Sequence, residues 1–181
     1  MKRALCFGVL LFGTILWFGN DVAHGEGQNL FHIERSINGN IVRYDVETTE
    51  DGNLVGTDPV FAYWILENGE RAELSLIQRT DAYGIESQER LGHNQYRIIL
   101  SGLAEREITV QRTDEGYRAF VLIDGREGIL ERIYVECVEG LLGFPKVIHV
   151  DLFGRDGRSA FPVTERILPH RKSQPEFLPN L

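Results

Sequence analysis

Cysteine is nearly absent: the 181-residue chain has two, Cys6 and Cys137. Cys6 precedes most of an N-terminal apolar run, where a lipid-accepting cysteine would have to follow it, so lipoprotein processing is not expected. Cys137 by itself cannot form an intramolecular disulfide, so the fold must stand on its packed core even in an oxidising compartment. It alternates with Ile133 and Val135 and is flanked by Glu136 and Glu139, which reads as a small buried hydrophobe rather than a reactive thiol. Clusters of Lys or Arg are missing too. With 19 basic against 27 acidic residues, net −8, the chain repels phosphate backbones, which argues against nucleic acid and anionic membrane surfaces as partners. There is no G-x-S-x-G elbow, Walker loop, H-E-x-x-H pair, paired C-x-x-C or glycine-rich phosphate cradle. Those absences exclude the best-marked enzyme classes and leave unmarked ones open. No internal repeat and no linker divides the chain.

What is present begins with Lys2 and Arg3 ahead of an apolar run from Ala4 to Phe18, the n-region and h-region of a secretory signal. The run is short against the roughly 20 residues that a permanent membrane helix takes. Small residues at Ala23 and Gly25 predict cleavage after Gly25. Processing there would remove two basic residues and one acidic one, leaving 17 and 26, net −9. The expected organisation is a signal peptide over residues 1–25, one domain over 26–168 and a flexible tail over 169–181, where three prolines lie among polar residues. The location expected is periplasmic or secreted, with no stable membrane anchor after cleavage.

Apolar residues recur mostly with period two, the pattern of half-buried strands. Leu30 to Arg35 places Phe31 and Ile33 on one face and His32 and Glu34 on the other. Asn38-Gly39 predicts a tight hairpin into Ile41 to Val46. Val60 to Leu66 is apolar on both faces and reads as a covered central strand, with Tyr63 and Trp64 as core. Leu74, Ile77 and Ala82 share a stripe that predicts the one helix, over Arg71 to Tyr83 and ended by Gly84. Six strands then follow, from Tyr96 to Ile167, with Asp124-Gly125 and Asp156-Gly157 as hairpin turns. The fold expected is mainly β: an antiparallel meander of about nine strands forming a barrel or two-layer sandwich, with one short helix.

Two groups of residues carry candidate chemistry. His32-Ile33-Glu34 and His149-Val150-Asp151 each put an imidazole and a carboxylate on one strand face; on adjacent strands the four would converge as a metal or acid–base site. Both pairs occupy the polar phase of their strands, so the expectation is an ordinary solvated face, with no metal and no cofactor. The second group is the polar string Arg35-Ser36-Ile37-Asn38-Gly39-Asn40. It supplies local backbone hydrogen bonds around a turn, or a polar loop that receives a ligand, with Arg35, Asn38 and Asn40 as candidate contacts.

The blocks Phe31-His32-Ile33-Glu34-Arg35-Ser36 with Asn38 and Asn40, Asp58-Pro59-Val60 with Tyr63-Trp64-Ile65, Ile77-Gln78-Arg79 with Ala82-Tyr83-Gly84, and Tyr117-Arg118-Ala119-Phe120 with Ile123-Asp124-Gly125 occur in this order. Together they resemble an uncharacterised family, found largely in bacterial exported proteins and known only as a domain of unknown function. The resemblance runs from about Asn29 to Ile167. It implies kinship and no activity, and it transfers no site residue. The function expected is a non-enzymatic cell-envelope domain that binds a small ligand or a protein partner. The alternative is a periplasmic or secreted hydrolase using His32, Glu34 or other carboxylates.

Overall fold

The computed structural model describes residues 27–139 and 145–169; the segment expected to be a signal peptide and nearly all of the expected tail lie outside them. Eleven strands and one α-helix are present among the described residues: β1 Gln28–Arg35, β2 Asn38–Val46, β3 Val60–Ile65, β4 Arg71–Ala72, α1 Leu76–Asp81, β5 Ile85–Gly92, β6 Gln95–Leu100, β7 Glu107–Thr113, β8 Gly116–Ile123, β9 Arg126–Val138, β10 Lys146–Asp156 and β11 Pro162–Ile167. Nine of the strands follow one path, β4-β3-β2-β1-β9-β8-β7-β6-β5, which curls into a half-barrel; β10 and β11 extend from β9 beside it.

The sheet is mixed rather than wholly antiparallel. Along one side of β9, β8 pairs antiparallel at Arg126–Ile129, and β1 then pairs parallel from His32↔Arg132 to Arg35↔Val135. A strand of 13 residues has room for two neighbours in succession on one side. On its other side β10 runs antiparallel from Gly128 to Val138. The β9–β10 register slips between Phe153 and Gly154, so that Glu131 is unmatched between Arg132 and Leu130. An extra residue of this kind bends its strand and sharpens the local twist, and it falls where β9 changes partner. Gly154 is required at that place, because a Cβ there would lie 2.2 Å from the carbonyl oxygen of Ile129.

Two glutamine side chains join the arms that diverge from β9. At the fork, Gln28 Oε1 accepts from the Tyr117 amide at 2.9 Å and Gln28 Nε2 donates to the Tyr117 carbonyl at 3.1 Å. At the far rim, Gln88 on β5 makes the same two bonds with Val60 on β3. Inside, Phe31 stacks on Tyr44 at 4.5 Å between centroids, and Tyr96, Ile98, Ile108, Val110 and Leu130 fill the space around them. One end is covered by the loop after β2: the Tyr96 and Tyr117 hydroxyls donate to the Gly56 and Gly52 carbonyls, and Leu54 is buried. The opposite end carries α1.

Several expected details differ. The first hairpin turns at Ser36-Ile37, not Asn38-Gly39, because Ser36 is tied to β9 and Gly39 and Asn40 are held extended by Glu67. The helix is shorter than Arg71 to Tyr83. Arg71 and Ala72 pair with β3, and Ser75 opens α1 through a capping box, its hydroxyl accepting from the Gln78 amide while Gln78 Oε1 accepts from the Ser75 amide. Its stripe packs only in part: Leu74, just before the helix, is buried in the core, while Ile77 is 60% exposed. β5 escaped expectation because its sequence, IESQERLG, is largely polar. Asp124 and Gly125 do adopt the positive φ values that their turn requires, 51° and 73°.

Candidate functional site

The two His–carboxylate pairs lie on one face of one sheet but not on adjacent strands. The registers Glu34↔Tyr134 and Tyr134↔Asp151 place β9 between them. With strands about 4.8 Å apart, β1 and β10 are separated by roughly 10 Å. Among the described residues no group of three or more His, Cys, Asp or Glu is placed to hold a metal.

Each pair is instead closed by an arginine. Glu34 accepts from His32 at 3.1 Å and from Arg132 at 2.8 Å, and Arg132 lies over the Phe153 ring at 4.2 Å. Asp151 accepts a bidentate pair from Arg166 at 2.7 and 2.8 Å, with His149 at 3.5 Å. The Arg166 hydrogen bonds hold the Asp151 carboxyl below the usual carboxylate range. Between the pairs, Tyr134 donates to Glu136 at 2.9 Å, and that bond pushes the phenol pKa up. A carboxylate locked by a bidentate guanidinium is a poor general base, so this row reads as a charge-paired surface.

On the other face of β1 the arrangement differs. Phe31, Ile33 and Arg35 share the inward phase, so the strand ends by aiming a cation where an apolar residue belongs. The Arg35 guanidinium lies 4.5 Å from the centroid of Trp64 and 5.8 Å from that of Tyr83, and these two rings meet edge to face at 5.2 Å. Neighbouring bonds fix the rings. Trp64 Nε1 donates to Gln78 Oε1 at 3.1 Å, so the helix cap also orients the indole, and the Tyr44 hydroxyl donates to the Tyr83 carbonyl at 2.5 Å.

Arg35 Nη2 donates to Asn38 Oδ1 at 2.9 Å, and Nη1 reaches the Tyr83 hydroxyl at 3.5 Å. Among the described residues no carboxylate forms an ion pair with it. Its Nε is buried and has no acceptor, the one buried side-chain atom in that condition among the described residues. A buried donor left unpaired costs about 1–3 kcal/mol, more when charged.

Of the polar string, the structure brings Arg35 and Asn38 together. The Asn40 amide also donates to Asn38 Oδ1 at 3.3 Å, while the Asn40 side chain turns to the segment after β3, where its Oδ1 accepts from the Glu67 amide at 2.9 Å. Ser36 Oγ accepts from the Cys137 amide and donates to its carbonyl, and burial pushes the Cys137 thiol up, as befits a structural residue. Trp64 and Tyr83 were not identified as partners of Arg35 by sequence reasoning, nor Gln78 as the partner of Trp64. The available signal was a cation on the apolar phase of a strand.

A second cluster also lay beyond the sequence. Asp45, 1% exposed, accepts from Asn29 Nδ2, Arg43 Nε and the Tyr63 hydroxyl at 3.0, 2.7 and 2.6 Å. Burial and the bond to Asp45 push the Tyr63 phenol up to about 12. A shallow open pocket of about 200 Å³ lies nearby on the β3–β5 rim, bordered by Arg71, Glu73, Arg79 and Gln88.

A family model described as Domain of unknown function (DUF4833) matches residues 31–166. The chain belongs to this family. The match spans β1 to β11, so the DUF4833 domain is the curled sheet itself, with Arg35, Trp64 and Tyr83 inside it. No curated protein and no solved structure matches the chain.

Proposed function

We propose that this DUF4833 domain is a non-enzymatic binding module of the cell envelope, taking a small ligand or a protein partner at the Arg35 end of the half-barrel. The observation that carries this reading is a half-buried guanidinium with an unpaired Nε, framed by Trp64 and Tyr83, at the edge of an otherwise filled core. Filling by Phe31, Tyr44 and Tyr96 argues against a ligand held inside the barrel and for recognition at its rim. A hydrolase built on His32 and Glu34 has less support, because Glu34 is shared with Arg132.

The envelope part of the reading is supported by Lys2-Arg3 and the apolar run to Phe18, the pattern of a processed signal. Two measurements test the whole. Intact mass of protein from the envelope fraction is expected to lack residues 1–25; full-length chain soluble in the cytoplasm overturns export. Wild-type protein recovered under native conditions is expected to carry a ligand or partner detectable by mass spectrometry. An Arg35→Ala variant of unchanged circular dichroism is expected to lose it. Equal recovery with both forms removes Arg35 from the reading.

A further inference from the structure

We propose that the Arg35 site recognises a carboxylate group, which displaces Asn38 to take the side-on edge of the guanidinium; this rests on the reading of the domain as a binding module. Nε and Nη2 of an arginine form a fork of two parallel N–H donors that matches the two oxygens of a carboxylate. Here Asn38 Oδ1 occupies the Nη2 half alone, at 2.9 Å, and the Nε half has no acceptor. A carboxamide brings one acceptor oxygen to a two-donor edge. A carboxylate brings two and a compensating charge.

The surroundings favour exchange at this edge. Asn38 is exposed, directly after the turn of the first hairpin, so its side chain has solvent to swing into at the cost of the 3.3 Å bond its Oδ1 accepts from the Asn40 amide. The guanidinium stays in place when it does, because the Trp64 and Tyr83 rings hold its plane and Gln78 holds the indole. A preorganised cation loses little freedom on binding. A cation with no carboxylate ion-paired to it among the described residues is suited to a carboxylate from outside. Phosphate also presents two oxygens to an arginine fork, so it is titrated alongside to decide which oxyanion the site takes.

The test is a titration of the ¹⁵N-labelled mature chain with acetate, benzoate and octanoate, and with inorganic phosphate and octanol as controls. It is followed at the arginine Nε–H and Trp64 indole resonances by NMR. The Arg35 Nε–H is assigned by its disappearance in Arg35→Lys. Expected is a saturable downfield shift of that resonance, together with the Trp64 indole, for at least one carboxylate in the millimolar range and not for octanol. Arg35→Lys keeps the charge and removes the fork, and is expected to weaken binding tenfold or more with an unchanged melting temperature. Asn38→Ala uncovers the edge and is expected to bind as tightly as wild type or more so. Equal binding by Arg35→Lys overturns the fork. A response to phosphate alone overturns the carboxylate assignment. No shift of Arg35 Nε–H with any carboxylate also overturns the proposal, while a ligand recovered from the envelope that shifts other residues would leave the binding-module reading standing.

Discussion

The Gln88 carboxamide treats Val60 as a neighbouring strand would: its Oε1 accepts from the Val60 amide at 3.0 Å and its Nε2 donates to the Val60 carbonyl at 2.7 Å. Val60 is 2% exposed, so neither backbone group has ready access to water if the side chain is lost. Gln88→Ala is therefore expected to destabilise the fold by about 1–3 kcal/mol, the cost of leaving buried partners unpaired. Gln88→Glu keeps an acceptor for the amide but sets a carboxylate against the Val60 carbonyl, so it is expected to be no better. Urea denaturation reads both, and an unmoved midpoint for Gln88→Ala would show that the rim is not held by this contact.

Gln28 does the equivalent work at the fork, bonded to Tyr117. The two glutamines share no partner, so Gln28→Ala and Gln88→Ala are expected to be additive to within about 0.5 kcal/mol. A double variant that falls well short of the sum would mean that the arms separate as one unit once either contact is lost. Chemical denaturation of the four proteins in parallel gives the comparison.

The strand content was legible because alternation is a local signal: Phe31/Ile33, Val42/Tyr44/Val46 and Ile133/Cys137 each declare a face. β5 was not, because its residues lie on a half-exposed rim and only Ile85 and Leu91 are apolar. The parallel β1–β9 ladder was illegible for another reason. Pairing partners about 100 residues apart leave no trace in either strand's own pattern, and hairpin logic joins only consecutive strands. The site followed the same division. Arg35 and Asn38 are close in sequence and could be named as candidates, while Trp64 and Tyr83 reach Arg35, and Gln78 reaches Trp64, only through tertiary packing.

Core substitutions should separate what alternation alone treats as equal. Ile133 is 2% exposed, and Ile133→Ala is expected to cost about 2–5 kcal/mol. Ile65, half-buried on the outward face of β3 with Phe61 and Tyr63, is expected to cost clearly less as Ile65→Ala. Equal losses in denaturation midpoint would mean that this face is more thoroughly covered than its exposure indicates.

Asp45 and Tyr63 predict an alkaline limit to stability. The phenol titrates near 10 in an unfolded chain and is pushed up to about 12 in the fold. Between those values the unfolded chain has released a proton that the folded chain still holds, so unfolding is increasingly favoured as pH rises. The Tyr63 contribution is complete below pH 10 and lost by about 12. Tyr63→Phe is expected to flatten this part of the stability–pH curve while losing the 2.6 Å bond to Asp45.

The acid side has the opposite sign. Arg166 holds the Asp151 carboxyl below its ordinary 3.8, so the native state gives up its proton more readily than the unfolded chain does. The resulting stabilisation is present above 3.8 and fades as the pH falls through the depressed native value. Arg166→Gln removes the bidentate contact, and with it most of the depression. Carboxyl ¹³C titration is expected to show the Asp151 midpoint moving up in that variant, with His149 at 3.5 Å left as its remaining cationic neighbour when protonated. If the midpoint stays where it was, Arg166 is not what locks this carboxylate. Asp151 would then regain standing as a base, and the hydrolase reading would have to be weighed again at His149 rather than at His32.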